Sequence, residues 1–312
     1  MIANNVKFIT LATLYIFFCT PSAYCLARPH FEFENIINLS TGSVGQTRPV
    51  SVTWDPVQGE ICVTDVRQAS LFILNSFDIE LFRTSTVARL SYPSDGSIDT
   101  QGRLVCVDRS QSGKSTIKRL NVYGEPDPFS PELPSSEWDP RFLLVTSDEN
   151  YLTLDPNSAL LAKHDHESGR LIWQRTIAEP MEEDLYLGHP MEAADGRIYI
   201  PGGNLHQILV LENDGRRYTS FGKFGSAEGY FSFPVSVSFT PDGSLLVLDR
   251  MRHKIMVFNQ DHQFVSEFGS MGAAPGQFYH PVAMATDAGG RVYVAQGFQG
   301  RVQVFRYTET QP

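Results

Sequence analysis

Two histidines, His189 and His280, each stand directly before a proline, as do Arg48, Tyr92, Asp139 and Phe233. An imidazole nitrogen ligates zinc, a carboxylate ligates calcium or zinc, a guanidinium pairs with an anion, and a phenol donates a hydrogen bond. Brought around one axis, Arg48, Tyr92, Asp139, His189 and His280 would form a polar ligand-binding ring. His189 and His280 are then the candidate metal ligands, with Ca or Zn as the candidate ion. A second pair, His164 and His166, would share one face of an extended strand and could chelate a divalent ion. The surrounding LAKHDHESGR text instead reads as a solvated hairpin. Asp65, Asp108 and Asp249 end apolar runs and are expected to accept turn hydrogen bonds. His206 and His253 are expected to be turn or packing groups, since no other metal ligand is clustered beside them in sequence. No Ser/His/Asp order and no H-E-x-x-H supports hydrolysis.

Such a ring needs elements that return repeatedly to one axis. The six prolines at 49, 93, 140, 190, 234 and 281 recur every 44 to 50 residues. Each opens an alternating strand, a turn, a second apolar strand, a polar turn and a third strand. A fourth strand follows, as in Gln263-Phe-Val-Ser-Glu-Phe268. Six four-stranded units near 45 residues predict an all-β, six-bladed β-propeller. The last unit runs out after its third strand, at Val302–Tyr307. Phe31–Leu39, followed by Gly42-Ser-Val-Gly45, matches fourth-strand text. An N-terminal strand is therefore expected to close the last blade and seal one domain.

The clearest units are Gly222–Phe258 and Gly269–Phe305. Both carry G-x-x-G-x-x-x-G-x-F-x-x-P, then an Asp/Gly turn or its Asp-Ala-Gly-Gly variant, then two apolar strands ending in V-F. This pattern resembles the NHL repeat, and in frame the resemblance covers essentially all of residues 28–312. It implies a six-bladed propeller and specifies fold far better than activity. The peptide-amidating lyase resembles this fold and holds zinc through histidines directly after the blade-opening proline. Here those positions are Val50, Ser94, Arg141, Met191, Val235 and Val282. A histidine before the proline points to the other side of the strand, which argues against that chemistry. Lactonase-like propellers hold calcium through scattered Glu, Asn and Asp, a pattern without local spacing.

Apolar residues make up 42% and charged residues 19% of the 312, a globular balance. The net charge of −10 argues against nucleic acid and anionic membrane as partners. Residues 1–27 read as a secretory signal: Lys7, the apolar run Phe8–Phe18, Pro21, then small residues, with cleavage after Ala23 or Ala27. Eleven apolar residues are too few to span a membrane, and no later run approaches 18. The expected product is a monomeric, exported (periplasmic or extracellular) propeller over 28–312. Cys62 and Cys106 fall in second strands of neighbouring blades, on the faces that meet. A disulfide fits by direction. Packed sheets lie about 10 Å apart whereas bridged Cα atoms want about 5–6 Å, so two buried free thiols are favoured over the bridge. The function expected is a non-catalytic binding or scaffold module for a protein, peptide or glycan. The alternative is a metal-dependent hydrolase or lyase with its site at the channel mouth.

Overall fold

Leu245–Asp249 (LLVLD) is buried at every position, and so are Tyr151–Asp155 and Ile198–Gly202. A strand apolar on both faces must be covered on both faces. Here neighbouring blades supply that cover. The computed structural model describes residues 29–39, 46–178 and 185–309. The expected leader 1–27, its cleavage site and Gly42–Gly45 lie outside the described residues.

Six four-stranded antiparallel sheets form a β-propeller. Blade 1 comprises Pro49–Asp55, Glu60–Asp65, Ser70–Leu74 and Glu80–Arg83. Blade 2 comprises Tyr92–Ile98, Leu104–Arg109, Ser115–Leu120 and Pro126–Asp127. Blade 3 is Phe142–Val145, Tyr151–Asp155, Leu160–His164 and Leu171–Thr176. Blade 4 is Met191–Glu192, Ile198–Gly202, Gln207–Leu211 and Arg217–Phe221. Blade 5 is Pro234–Phe239, Leu245–Asp249, Lys254–Phe258 and Phe264–Phe268. Blade 6 takes Ala283–Thr286, Arg291–Gln296 and Arg301–Glu309 from the C-terminal end and Pro29–Asn38 from the N-terminal end. No helix among the described residues is long and apolar enough to cross a membrane.

The first strands face the axis and are joined by hydroxyl side chains. Thr53 Oγ1 donates to Gly96 O at 2.9 Å, Ser94 Oγ to Arg141 O at 2.8 Å, and Ser238 Oγ to Thr286 Oγ1 at 2.9 Å. The connections between blades use the expected glycine pattern. Gly222 and Gly269 have φ of +117° and +99°. A Cβ on either would stand 2.5 Å from the ring of Phe231 or Phe278, both fully buried. The repeated G…G-x-F therefore places a ring directly over a glycine.

Strand-ending aspartates fasten each turn to the segment entering the blade. Asp65 accepts from the backbone N–H of Arg48, Arg67 and Gln68, and Asp249 from those of Ser232, Phe233, Met251 and Arg252. Asp108 takes Ser91 and Tyr92, and Asp155 takes Asp139, Asn157 and Ser158.

Closure rests on Pro29–Asn38 paired along Arg301–Glu309. Phe31 is buried and stacks on Phe268 of blade 5 with centroids 4.9 Å apart. A register shift between Phe33 and Asn35 accompanies Glu34, which meets Arg306 and Arg291 at 2.7 Å each. Arg291 also reaches Asp78 at 2.7 Å and the carbonyl of Ser76 at 2.7 Å, both in blade 1. One guanidinium thus ties the closing strand, blade 6 and blade 1 together.

One expectation is corrected, and the bridged alternative for the cysteines is not the one the structure holds. Cys62 and Cys106 are free, buried thiols in one apolar cluster between blades 1 and 2, and no disulfide joins them. Burial pushes both thiols up, well above the ordinary value. His164 is fully buried rather than solvated. Its Nε2 lies 3.0 Å from the carbonyl of Glu132, and its ring is 5.4 Å from that of Trp138. His166 sits apart from it, near Glu149 and Glu167.

Arg291→Met removes the charge from this junction and is expected to lower stability by about 2–3 kcal/mol, since Asp78 loses its guanidinium and Glu34 keeps only Arg306. Urea unfolding and limited proteolysis of residues 29–38 would measure it. In folded protein, thiol reagents should leave Cys62 and Cys106 unmodified. In denaturant without reductant, each should react as a free thiol.

Candidate functional site

The first strands of blades 1 to 4 converge on one carboxylate, that of Asp95, which is wholly buried. A register shift between Pro93 and Asp95 bends the strand and re-aims the side chain. The next residue must be small: a Cβ on Gly96 would lie 2.7 Å from Leu71 Cδ2. Oδ1 of Asp95 accepts from Ser51 Oγ at 2.5 Å and from Gly96 N at 2.8 Å. Oδ2 accepts from Leu143 N at 2.8 Å and faces His189 Nε2 at 2.8 Å.

His189 reaches the axis because of how blade 4 begins. Its N–H donates to Val235 O of blade 5 at 3.1 Å, and its backbone bridges Ser236. The imidazole packs 5.3 Å from the Phe142 ring and 3.3 Å from Ser51 Oγ. Burial alone would lower its pKa. The charge and hydrogen bond of Asp95 outweigh that and hold it above the ordinary histidine value. The axis therefore contains a hydrogen-bonded imidazole–carboxylate pair whose charged form Asp95 favours.

Against this pair lies a cavity of about 430 Å³. Val52, Trp54, Ile98, Leu144, Met191, Val237, Met284 and Ala285 make most of its wall apolar. It opens among the turns that follow the first strands, at Pro56, Val57, Thr100 and Ser147. On that rim Glu192 accepts from Ser147 N at 2.6 Å and from Ser147 Oγ at 3.0 Å.

Of the candidate ligand residues named from the sequence, only His189 lines this cavity. Arg48 and His280 lie where first strands begin, and both approach Phe298: Arg48 stands 5.9 Å over the ring and the His280 centroid is 5.6 Å away. The N–H of His280 lies 3.4 Å from His253 Nδ1. Tyr92 is exposed, with its N–H held by Asp108. Asp139 accepts from Ser115 N at 3.0 Å and meets Arg141 at 3.3 Å. Phe233 packs on Tyr186, centroids 4.7 Å apart. Among the described residues no three His, Cys, Asp or Glu side chains come together as a metal would require. Sequence reasoning missed Asp95 and Ser51. Their signal was a shared position two after the framing proline, also occupied by Phe142 and Ser236.

No protein-family model matches the chain, and no curated protein matches it. Solved structures do. A Bacteroides thetaiotaomicron structural genomics protein of unknown function is 12% identical, with a TM-score of 0.67 over 90% of this chain and 76% of that one. A streptogramin B lyase is 13% identical, with a TM-score of 0.59 over 90% and 98%. A catalytically inactive virginiamycin B lyase from Staphylococcus aureus with quinupristin is 12% identical, with a TM-score of 0.61 over 89% and 99%. At these identities the shared property is the propeller fold.

The raised His189 pKa fixes a sign. Its stabilising contribution is fully present below the unfolded histidine value, near 6.5, and is lost as pH rises through the higher folded value. Urea midpoints should therefore fall more steeply between pH 6 and pH 8.5 in the native protein than in His189→Asn. Parallel slopes would contradict the charged pair.

Proposed function

We propose that this chain is an exported, monomeric NHL-type propeller that binds a protein, peptide or glycan partner without transforming it. An apolar group of the partner enters the axial cavity. The assignment to NHL repeats is supported by the 44 to 50-residue period, the paired Gly222–Phe231 and Gly269–Phe278 contacts, and the latching aspartates. The leader-like text of residues 1–27 supports export. The acidic charge favours a neutral or basic partner.

One observation carries the choice of binding over catalysis. Asp95 accepts four hydrogen bonds, and His189 Nε2 is committed to it. Ser51 Oγ gives its proton to the same carboxylate at 2.5 Å and lies 3.3 Å from the very Nε2 that Asp95 already holds. In a nucleophilic triad the acid and the hydroxyl hold opposite ring nitrogens. This arrangement leaves no activated nucleophile and no free base beside the apolar wall.

The test uses a neutral fluorescent probe, N-phenyl-1-naphthylamine, with the native protein and Ala285→Trp, which fills the cavity. Saturable fluorescence enhancement that weakens at least tenfold in the variant, with circular dichroism unchanged, supports the reading. An unchanged affinity would overturn it. The names of the two lyase neighbours favour a second reading, a lyase, which the alternative read from the sequence makes metal-dependent. It predicts stoichiometric calcium or zinc by elemental analysis, lost in His189→Ala and His280→Ala.

A further inference from the structure

The opposite face, where first strands begin, carries another concavity, of about 490 Å³. It lies at the seam made by ring closure. Asn38 at the end of the closing strand, Thr47 and Arg48 entering blade 1, Arg67 in the blade 1 turn, and Phe298 and Gln299 of blade 6 line it.

Its charge is unusual for this molecule. Arg48 and Arg67 are exposed, and neither side chain forms an ion pair among the described residues. Asp65, the adjoining carboxylate, accepts from the backbone N–H of both, so it positions their main chains without pairing their guanidinium groups. Arg301 stands opposite Asn38 in the closing ladder. Its Nε donates to Gln296 Oε1 at 2.8 Å, while its buried Nη2 has no hydrogen-bond partner. Desolvation alone acts on this guanidinium and pushes its pKa down, as expected for a buried cation lacking a counter-charge. Residues 40–45, Ser-Thr-Gly-Ser-Val-Gly, contain no acid that could supply one. In a chain of net charge −10, Arg48 and Arg67 line this concavity with no carboxylate partner among the described residues, and Arg301 follows Gly300 of its wall.

A buried donor left unbonded costs free energy, and such groups call for a missing partner. Arginine forks match oxygen acids in a planar, two-bond geometry that an ammonium cannot reproduce. Phe298 is 70% exposed and offers a flat apolar surface next to the charges. Gln299 Oε1 is also buried and unbonded, so a hydroxyl donor beside the acid group would be accepted. We propose that this seam is a binding site for an oxyanion, a carboxylate, phosphate or sulfate borne on a hydroxylated ligand, held by Arg48 and Arg67. The site is separate from the axial cavity and does not depend on what occupies that cavity.

The experiment is an amide NMR titration of the native protein with inorganic phosphate, sulfate and glucuronate, each at fixed ionic strength. Saturating shifts are expected at Arg48, Arg67 and residues 297–301 for at least one probe, and the tightest of the three identifies the acid. The double variant Arg48→Ala/Arg67→Ala alters exposed side chains and should keep the fold, with affinity at least tenfold weaker. Arg48→Lys/Arg67→Lys keeps the charge and loses the forks. It should weaken binding at least threefold. No saturating shift with any probe, or equal affinity in the alanine variant, would overturn the proposal.

Discussion

Everything in this ring depends on where its buried carboxylates stand. The aspartates at the ends of the second strands are buried, so the backbone groups that turn over them take partners from within the protein. Asp65, Asp108, Asp155 and Asp249 provide them. Each gathers N–H groups from its own turn or from the segment leading into the inner strand. A carboxylate suits this task because it only accepts and can take several donors at once. The inner strand is thereby fixed in height relative to the second strand, and the axis inherits that precision.

The two blades without such an aspartate, blades 4 and 6, each contribute to a candidate site. In blade 4 the position holds Gly202, and the turn is bridged by backbone bonds instead: Gly188 N to Pro201 O at 2.7 Å and Gly203 N to Tyr186 O at 2.8 Å. Gly188 lies so close to blade 5 that a Cβ would meet Val235 O at 2.2 Å. The chain is drawn inward, and the next residue, His189, arrives at the axis. In blade 6 the position holds Gln296, buried and bonded to Gln303 and Arg301. An amide there brings no negative charge, which leaves Arg301 without a counter-ion. Departure from the repeat is thus the physical origin of both features.

The same logic explains what the sequence revealed. Spacing, closure by Phe31–Leu39, and the acceptor role of Asp65, Asp108 and Asp249 were legible because each rests on residues within one repeat or on its phase. His206 and His253, both at positive φ in turns, were legible for the same reason. The axial pair was not. Ser51, Asp95 and His189 meet across three blades, and no local pattern encodes a contact between residues 44 to 138 positions apart. The pre-proline frame was also the wrong phase, since those residues mostly give their backbone to a latch and turn their side chains away from the axis. His164 misled for another reason. The segment between blades 2 and 3 is long enough to lay Trp138 over it.

The axial pair itself is costly if judged as a source of stability alone. Two charges removed from water regain little unless every lone pair is met, and hydrophobic residues of similar size often stabilise as well. Here every lone pair is met, and the donors come from four different blades. A methyl or isopropyl group at position 95 would pack there but could not report the positions of Ser51, Leu143 and His189 to one another. The carboxylate sets register between blades that share no strand ladder. It thereby holds the apolar cavity beside it to one shape, which is what a rigid binding pocket needs before its ligand arrives.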